Sequence, residues 1–329
     1  MIEIYKRTEL DRLMKTYGLH FSKGLGQNFL TDKNLLEKIV DGAGLTQDDH
    51  VVEIGAGLGG LTVLLAHAAG RVTAIEIDRR LIPALREATE GLPNVELVNE
   101  DFLKYEWSRG DGANGQSETN PQKFKIVGNL PYNITTPVIA KLFEAGSGGA
   151  GPDSVRPDGA SLDNASRDNP GPDSLLTAPG CAGPGSLRPA PFECAVFMIQ
   201  KEVAERLLSP PGKKAYGAIS VLVQYHTEAE MLFHVSREVF IPKPKVDSAV
   251  IRLRPKDLSG DDPAVAALMF RLVRAGFDQR RKTLRNSLSA AGFPEETLLA
   301  ALEKAGVDPV RRAETLSPRD FYRVASQLA

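Results

Sequence analysis

The chain has 329 residues, of which 42% are hydrophobic, and a formal net charge of -2. This length allows about two domains with sizeable hydrophobic cores, and a charge so close to zero gives by itself no sign of a nucleic-acid partner. No apolar run approaches the roughly 20 residues that span a bilayer, which excludes a membrane-spanning helix.

The first residues, MIEIYKRTELDRLM, lack the apolar stretch of a signal peptide, so we expect a cytoplasmic protein with no membrane partner. The two cysteines, Cys181 and Cys194, form no CxxC pair and lie near only scattered histidines. Neither a disulfide framework nor a zinc site is therefore indicated. We predict no metal cofactor.

Between about residues 32 and 145, helical apolar spacing alternates with short apolar runs, which is typical of a parallel sheet covered by helices. The helices predicted here are 33–43, 59–68, 79–89 and 136–145, and the strands are 51–54, 72–76, 95–98 and 124–128. Later residues predict a strand at about 193–199, helices at 201–208 and from near Tyr216, and strands around 229–235 and 247–253. The last 70 residues are predicted to be helical.

Two polar stretches, 108–122 and 146–191, interrupt this pattern and are predicted to be surface insertions. In the longer one, 23 of 46 residues are Gly, Pro or Ser, and GPDS occurs at 151 and again at 171. Such a composition has too few large apolar residues to offset chain entropy, so we expect disorder there. An added interaction segment is the alternative interpretation.

A glycine-rich loop follows the first predicted strand, in the sequence Glu53-Ile54-Gly55-Ala56-Gly57-Leu58-Gly59-Gly60. Glycines between a buried strand and a helix let the backbone approach a nucleotide without a Cβ in the way. The spacing also fits GxGxxG, the dinucleotide motif, in which a pyrophosphate rests on the helix N-terminus. A tight turn with no ligand is the third interpretation.

Carboxylates follow the next two strands. Glu76 ends the second strand about 20 residues past the loop, where it can accept hydrogen bonds from both ribose hydroxyls. A solvated strand-end carboxylate is the alternative, and neighbouring Asp78 fits that description. After the third strand, Asp101 can accept from an adenine amino group while Phe102 covers the ring. Glu53 before the glycines, and the absence of a hydride-transfer motif further along, favour a methyl donor over a dinucleotide.

The acceptor motif is Asn129-Leu130-Pro131-Tyr132, at the carboxyl end of strand 124–128. Open α/β sheets bind ligands at this edge. One substrate that such a motif suits is the exocyclic amine of adenine. That amine is a poor nucleophile because its lone pair is delocalised into the ring, so it needs hydrogen-bond acceptors that draw its hydrogens toward a pyramidal geometry. Asn129 can supply a carboxamide oxygen as one acceptor. Proline leaves nearby backbone carbonyls free, and Tyr132 offers a flat face for an extruded base. A simple turn is the alternative, but the glycine loop and Glu76 in the same unit favour catalysis.

Positive charge is concentrated in residues 237–285, which hold twelve Lys or Arg against six acids. Residues 271–285 predict a helix followed by a turn, and they place six bases beside one acid. Such a run can follow RNA phosphates or simply coat a solvated face. Lys243 and Lys245, in a stiff proline-flanked loop, can approach the RNA backbone or decorate a turn.

Six separated segments closely resemble the KsgA family of ribosomal RNA adenine dimethyltransferases, and the resemblance covers most of the chain. The segments are FSKGLGQNFL (21–30), EIGAGLG (53–59), NLPY (129–132), QKEVA (200–204), PKPKVDSAV (242–250) and RRKTL (280–284). Only the two insertions depart from the family pattern, and they remove no motif.

The resemblance implies dimethylation of two adjacent adenosines in the hairpin loop near the 3′ end of small-subunit (16S) ribosomal RNA, during late subunit assembly. S-adenosylmethionine is the implied methyl donor, and the small subunit with its RNA is the implied partner. Apart from the resemblance, we expect the enzyme to act as a monomer, which is the simpler arrangement. By the same resemblance, Asn28 and Leu30 touch the donor, and Gly55, Glu76, Asp101 and Asn129 complete its pocket. On sequence alone, 27–30 also fits a helix entry capped by Asp32.

We therefore predict an α/β protein with a Rossmann-like S-adenosylmethionine-dependent methyltransferase sheet over residues 1–255 and a smaller C-terminal helical domain over 256–329 that binds RNA. Arg280, Arg281 and Lys282 are the RNA-binding candidates of that domain, besides Lys243 and Lys245. The nearest alternative is a resistance enzyme that modifies large-subunit RNA. A nicotinamide dehydrogenase and a non-catalytic RNA-binding factor on the same fold are the alternatives from other classes.

Overall fold

The computed structural model describes residues 3–106, 124–144 and 192–329, so both predicted insertions, 108–122 and 146–191, lie outside the described residues. The chain forms two compact units. Among described residues, the first unit contains everything up to Ile139, Phe192 to Glu205 and Thr227–Pro255. The second contains residues 140–144, Arg206–His226 and Lys256–Ala329, so it includes more than the C-terminal segment.

The first unit is built on a seven-stranded sheet. Its strands have the bounds β2 His50–Ile54, β3 Arg71–Ile75, β4 Val95–Val98, β5 Phe124–Asn129, β6 Phe192–Gln200, β7 Thr227–Val235 and β9 Ser248–Pro255. Their order in the sheet is β4-β3-β2-β5-β6-β9-β7. The five strands β2 to β6 run parallel, and β9 runs antiparallel to both β6 and β7. The parallel sheet predicted for residues 32–145 is confirmed.

The helices of this part of the chain are α1 Arg7–Thr16, α2 Lys33–Ala43, α3 Gly60–Ala68, α4 Ile82–Ala88, α5 Thr135–Glu144 and α6 Lys201–Leu207. The last residues of α5 and α6 belong to the second unit. In β2 and β3 four of five residues are buried, as continuous apolar runs inside a two-sided sheet require. Asp32 caps α2, because its side chain accepts a hydrogen bond from Leu35 N at 3.1 Å. The predicted helix entry at Asp32 is therefore confirmed.

Two short strands were not predicted. The strands β1 Phe29–Leu30 and β8 Phe240–Ile241 pair antiparallel in a small separate sheet. Two-residue strands have no periodicity that a sequence pattern can detect. Their pairing joins the segment before α2 to the segment before β9. The motifs FSKGLGQNFL (21–30) and PKPKVDSAV (242–250) are therefore neighbours in the first unit.

The second unit is helical apart from its connections. It contains α7 Ala218–His226, α8 Pro263–Asp278, α9 Leu284–Ala290, α10 Glu295–Lys304 and α11 Pro318–Leu328. Leu272, Leu288, Leu302 and Phe321 meet in one buried core. Helix α11 begins with a capping box, in which Ser317 and Asp320 satisfy each other's backbone N–H groups. The helical prediction for the last 70 residues is confirmed.

A close approach inside the second unit gives a stability prediction. A Cβ added to Gly276 in α8 lies 2.7 Å from the Cβ of Ala313. Helix propensity alone predicts that Gly276→Ala stabilises by up to about 1 kcal/mol, but overpacking at this contact costs about 1–3 kcal/mol. We expect a net loss of unfolding free energy, measured by denaturant titration with circular dichroism.

The matched control is Gly42→Ala in α2. Its added Cβ is too close only to the Leu232 Cδ1 methyl, at 2.6 Å, and that end of the side chain can rotate away, while Val196 Cγ1 lies at an ordinary contact distance of 3.7 Å. We expect Gly42→Ala to change the free energy of unfolding less than Gly276→Ala does. A Gly276→Ala protein as stable as the parent protein would contradict the contact.

Candidate active site

The candidate site lies where four parallel strands of the first unit end. Residue Ile54 of β2 pairs with Gly128 of β5, so Gly55 and Asn129, the next residues, leave the sheet side by side. A Cβ on Gly128 would come within 2.8 Å of the Ile54 carbonyl oxygen, so this approach requires glycine. This edge is also the point where the strand order reverses about β2, the usual ligand site of an open α/β sheet.

One pocket at this edge brings together all six residues predicted to hold the methyl donor, which are Asn28, Leu30, Gly55, Glu76, Asp101 and Asn129. The motif residues Leu130, Pro131 and Tyr132 line the same pocket. Because every one of these residues belongs to the first unit, the pocket needs nothing from the second.

The glycine loop and Glu76 are joined directly. Gly57, with a φ of 60°, donates its N–H to Glu76 Oε2 at 2.7 Å. The other carboxylate oxygen, Oε1, accepts from Asp78 N at 2.8 Å. Glu76 is buried, and burial raises the pKa of its carboxyl despite these two bonds. Each carboxylate oxygen has a second lone pair, so the group retains capacity to accept hydroxyl hydrogens.

Glu53 is the most unusual group in the pocket wall. Its side chain is buried, and its Oε2 has no hydrogen-bond partner among the described residues. Burial raises the pKa of Glu53 to about 8, and the charge of Glu76 acts in the same direction. A buried polar atom without a partner is costly unless a ligand completes it. The Glu53 carboxyl in the pocket wall can therefore bind a cationic or hydrogen-bonding group of a ligand through its unpartnered Oε2.

The side chain of Asn129 has a fixed orientation. Its Nδ2 donates to the backbone carbonyl of Asn28 at 3.0 Å, and Asn28 in turn donates its own Nδ2 to Gly26 O at 2.9 Å. A carbonyl oxygen accepts only, so Asn129 must turn its NH₂ group toward Asn28. The carboxamide oxygen of Asn129 therefore faces away from Asn28 and is available as an acceptor.

The two motif carbonyls differ in availability. The Pro131 carbonyl accepts from Ile134 N at 3.1 Å and from Thr135 Oγ1 at 3.2 Å, at the start of α5. The Leu130 N–H donates to Met198 O at 3.0 Å, while no donor among the described residues approaches the Leu130 carbonyl. Of the two carbonyls, that of Leu130 therefore retains its full accepting capacity for a substrate.

Tyr132 is anchored through its hydroxyl, which shares a hydrogen bond of 2.7 Å with Ser248 Oγ. Burial raises the pKa of Tyr132, and the charge of Asp247 adds to this effect, so the phenol stays protonated. The ring itself is only partly buried. Its hydroxyl is fixed in the protein, while the residue lines the pocket.

The sequence analysis missed or undervalued three residues, of which Gln27 and Ile77 line the pocket and Asp78 lies behind it. Gln27 donates to Asp78 Oδ2 at 2.9 Å and accepts from Ser22 N at 2.9 Å, so it ties the segment before β1 to the end of β3. Asp78 is buried rather than solvated. Ile77 is 49% exposed at the pocket, an apolar surface suited to a purine ring. The signal for Ile77 was its position directly after Glu76.

The predicted RNA-binding residues lie in both units. In the first, Lys243 pairs with Glu238, and the Lys245 carbonyl accepts from Arg237. In the second, Arg280 donates to the carbonyls of Lys214 and Tyr216 and pairs with Glu314. Arg281 and Lys282 are exposed in the turn between α8 and α9. The guanidinium of Arg280 therefore helps to hold the fold, which sets it apart from its two neighbours.

The described residues contain neither a membrane-spanning helix nor a candidate metal site. Within the three described ranges, no helix has the length and apolarity needed to cross a membrane. In the same part of the chain, no group of three or more His, Cys, Asp or Glu side chains could hold a metal ion.

Three features lie on one edge of a Rossmann-like sheet: a glycine loop, a carboxylate after the second strand and an Asn-x-Pro-Tyr motif. Together they define an S-adenosylmethionine-dependent methyltransferase. Solved structures agree. A dimethyladenosine transferase from Plasmodium falciparum superposes with a TM-score of 0.64 and 25% identity over 90% of this chain and 95% of that one. The 23S rRNA methyltransferase ErmE superposes with a TM-score of 0.59 and 28% identity over 91% and 99%.

The sequence profile of the family described as "Ribosomal RNA adenine dimethylase" matches residues 18–329. A "Ribosomal RNA small subunit methyltransferase A" from Pelotomaculum thermopropionicum is 39% identical over 99% of this chain and 97% of that protein. One from Ligilactobacillus salivarius is 38% identical over 99% and 96%. The chain belongs to the ribosomal RNA adenine dimethylase family, and it is an S-adenosylmethionine-dependent rRNA adenine N6,N6-dimethyltransferase.

The raised pKa of Glu53 predicts how stability depends on pH. Between its ordinary value of 4.5 and about 8, Glu53 is ionised in the unfolded chain and protonated in the folded one. Its contribution to stability is therefore full below pH 4.5 and falls as pH rises, by up to about 1.4 kcal/mol per pH unit. We expect Glu53→Gln to match the parent protein near pH 5 and to be more stable at pH 8, by up to about 3–4 kcal/mol.

Denaturant unfolding of the ligand-free protein at the two pH values measures this difference. Glu193→Gln, at an exposed position of β6, serves as the control and should leave the pH dependence of stability unchanged. If the free energy of unfolding of Glu53→Gln falls with pH as steeply as that of the parent protein, Glu53 is not held protonated.

Proposed function

We propose that this chain dimethylates the exocyclic amines of two adjacent adenosines in the hairpin loop near the 3′ end of small-subunit (16S) ribosomal RNA, late in subunit assembly and as a monomer. The observation that carries the reaction is the fixed amide of Asn129, whose NH₂ bonds the Asn28 carbonyl while its oxygen is left to accept. The small-subunit target is supported by relatives of that name at 38–39% identity, against 28% for the 23S enzyme.

The pocket fits S-adenosylmethionine group by group. The unsatisfied Glu53 carboxyl can pair with an ammonium, which favours its ionised form and removes an uncompensated buried atom. Glu76 would accept hydrogen bonds from the two ribose hydroxyls, Asp101 would accept one from the adenine amine, and Ile77 would pack on the ring. Asn28, Leu30 and Gly55 would complete the pocket around the donor. The Asp101 carboxylate accepts a hydrogen bond from Leu103 N at 2.9 Å, which fixes its orientation.

When bound, S-adenosylmethionine supplies a methyl group on a sulfonium, whose leaving group is a neutral thioether that needs little activation. The protein's task is to orient the acceptor. The Asn129 carboxamide oxygen and the Leu130 carbonyl accept the two amine hydrogens, which draws the nitrogen lone pair out of conjugation with the ring. Tyr132 would stack on the extruded base and hold the amine nitrogen in place for transfer.

The C-terminal helices, residues 256–329, are proposed to bind the RNA, with Lys243 and Lys245 of the first unit as further phosphate contacts. Arg281 and Lys282 are exposed on the α8–α9 turn and carry no hydrogen bond from their side chains to the described residues. Exposed cations of this kind bind phosphates without reading sequence. Arg280 contributes chiefly by holding the turn in place.

Substitutions at Asn129 test the reaction. We expect Asn129→Ala to reduce methyl transfer at least about a hundredfold, because it removes one of two acceptors for the amine. The acceptor oxygen survives in Asn129→Asp, but two carboxylate oxygens cannot donate to the Asn28 carbonyl, so the group turns and transfer also falls. Donor affinity, measured by calorimetry, should change by less than about tenfold.

The assay uses labelled donor and undermethylated small subunits, with mapping of dimethyladenosine in the RNA and large subunits as the comparison. Label at two adjacent adenines of the small subunit supports the proposed target. Label only in large-subunit RNA would favour the resistance-type alternative, and full activity of Asn129→Ala would remove Asn129 from the mechanism.

Charge reversal tests the RNA-binding face. We expect Arg281→Glu combined with Lys282→Glu to weaken small-subunit binding about tenfold or more and to lower the slope of log affinity against log salt by about 1–2. Arg280→Glu alone should also lower the melting temperature, because it loses the carbonyls of Lys214 and Tyr216.

The control makes the same charge change in the first unit, as Lys38→Glu with Arg86→Glu on exposed faces of α2 and α4. Filter binding across a salt titration compares the two double variants. Equal affinities and equal slopes for both would refute a specific role of the α8–α9 turn.

A further inference from the structure

Ser248 is the first residue of β9 and the partner of the Tyr132 hydroxyl, at 2.7 Å. It is fully buried, and it lies outside the residues that line the donor pocket. Its backbone position is fixed on both sides, because its Cα pairs with Gln200 of β6 and with Val235 of β7. The hydroxyl of Ser248 is therefore a fixed point in the middle of three strands.

The residue before Ser248 strengthens this fixation. The Asp247 carbonyl accepts from Lys201 N at 3.0 Å, and its carboxylate accepts from Arg237 N at 3.1 Å. Asp247, directly before Ser248, is thus tied through its carbonyl to the start of α6 and through its carboxylate to the turn after β7. A side chain held in this way can define the angle of a ring that bonds to it.

The amine changes between the two methylations. Each transfer forms one N–C bond, breaks the C–S bond of the donor, leaves the electron pair on sulfur and releases one amine proton to solvent. Before the first transfer the nitrogen has two hydrogens, one for the Asn129 oxygen and one for the Leu130 carbonyl. Before the second it has one, so one of the two hydrogen bonds is lost and a methyl group must be accommodated.

We propose that Ser248 is a positioning residue for the second methylation: it holds the Tyr132 ring at the angle that keeps the monomethylated adenine aligned when one hydrogen bond has gone. The inference rests on the proposed stacking of the base on Tyr132. In the first transfer two acceptors and the ring orient the base, so a looser ring is tolerated. In the second transfer the ring carries a larger share of the orientation.

Ser248→Ala leaves the Tyr132 hydroxyl without its buried partner and frees the ring to tilt. We expect the rate of the second transfer to fall about three- to tenfold relative to the first, in line with the loss of one buried hydrogen bond. Monomethyladenosine then accumulates in single-turnover reactions on small-subunit RNA. The dissociation constant of S-adenosylmethionine should stay within about twofold, since Ser248 does not line its pocket.

A double-mutant cycle with Tyr132→Phe separates a positioning role from a general loss of stability. If Ser248 acts through the Tyr132 hydroxyl, Ser248→Ala adds nothing further in the Tyr132→Phe protein. The matched control is Ser220→Ala, which removes another fully buried hydroxyl, one that accepts from Gly217 N and donates to Arg206 O. It should leave the ratio of the two rates unchanged.

Several outcomes overturn the proposal: both transfer rates falling by the same factor, additive effects in the cycle, or a Ser220→Ala protein with the same shifted ratio. Failure of the underlying stacking is recognised separately with Tyr132→Ala. If Tyr132→Ala transfers both methyl groups at the parent rates, Tyr132 does not hold the base, and the stacking itself is refuted. If Tyr132→Ala is slow but Ser248→Ala transfers both groups at the parent rates, only the role of Ser248 is refuted.

Discussion

The active site depends on one pairing, that of Ile54 in β2 with Gly128 in β5. Because both strands are parallel, the residues that follow them emerge at the same edge, and the donor loop at Gly55 meets the acceptor motif at Asn129. Gly128 permits the approach, since a Cβ there would lie 2.8 Å from the Ile54 carbonyl oxygen. A slip of this register by two residues would separate donor from acceptor by about 7 Å, too far for in-line transfer. The reaction geometry is therefore a consequence of sheet register.

Two carboxyls beside this edge show that the pocket is not optimised for stability. Glu53 and Glu76 are both buried, and burial raises the pKa of each. Glu76 is partly satisfied by the N–H groups of Gly57 and Asp78, while Glu53 has an oxygen with no partner among the described residues. A buried acid kept without a partner lowers the free energy of unfolding, and it becomes favourable only when a ligand supplies the missing cation or donor.

Much of this site follows from sequence, because parallel strands deliver the residues after them to one edge. Gly55, Glu76, Asp101 and Asn129 were predictable as neighbours for this reason, and the four strands involved were found close to their observed bounds. The links across the chain were not predictable. The bond from Gln27 to Asp78, the pairing of β1 with β8 and the anchoring of Tyr132 by Ser248 join residues 51 to 212 positions apart, and no local periodicity records them. The engagement of Arg280 by two backbone carbonyls was hidden in the same way.

The two orienting elements of the acceptor site are held by different kinds of group. Asn129 is oriented by the backbone carbonyl of Asn28, which any residue at position 28 would provide, so its direction is set by the fold. Tyr132 is oriented by the side chain of Ser248, which a single substitution removes. The direction of the proposed acceptor at Asn129 is thus independent of the residue type at position 28, while the angle of the proposed stacking ring depends on the side chain at position 248. Under these proposed roles, a substitution at position 248 can alter the second transfer more than the first.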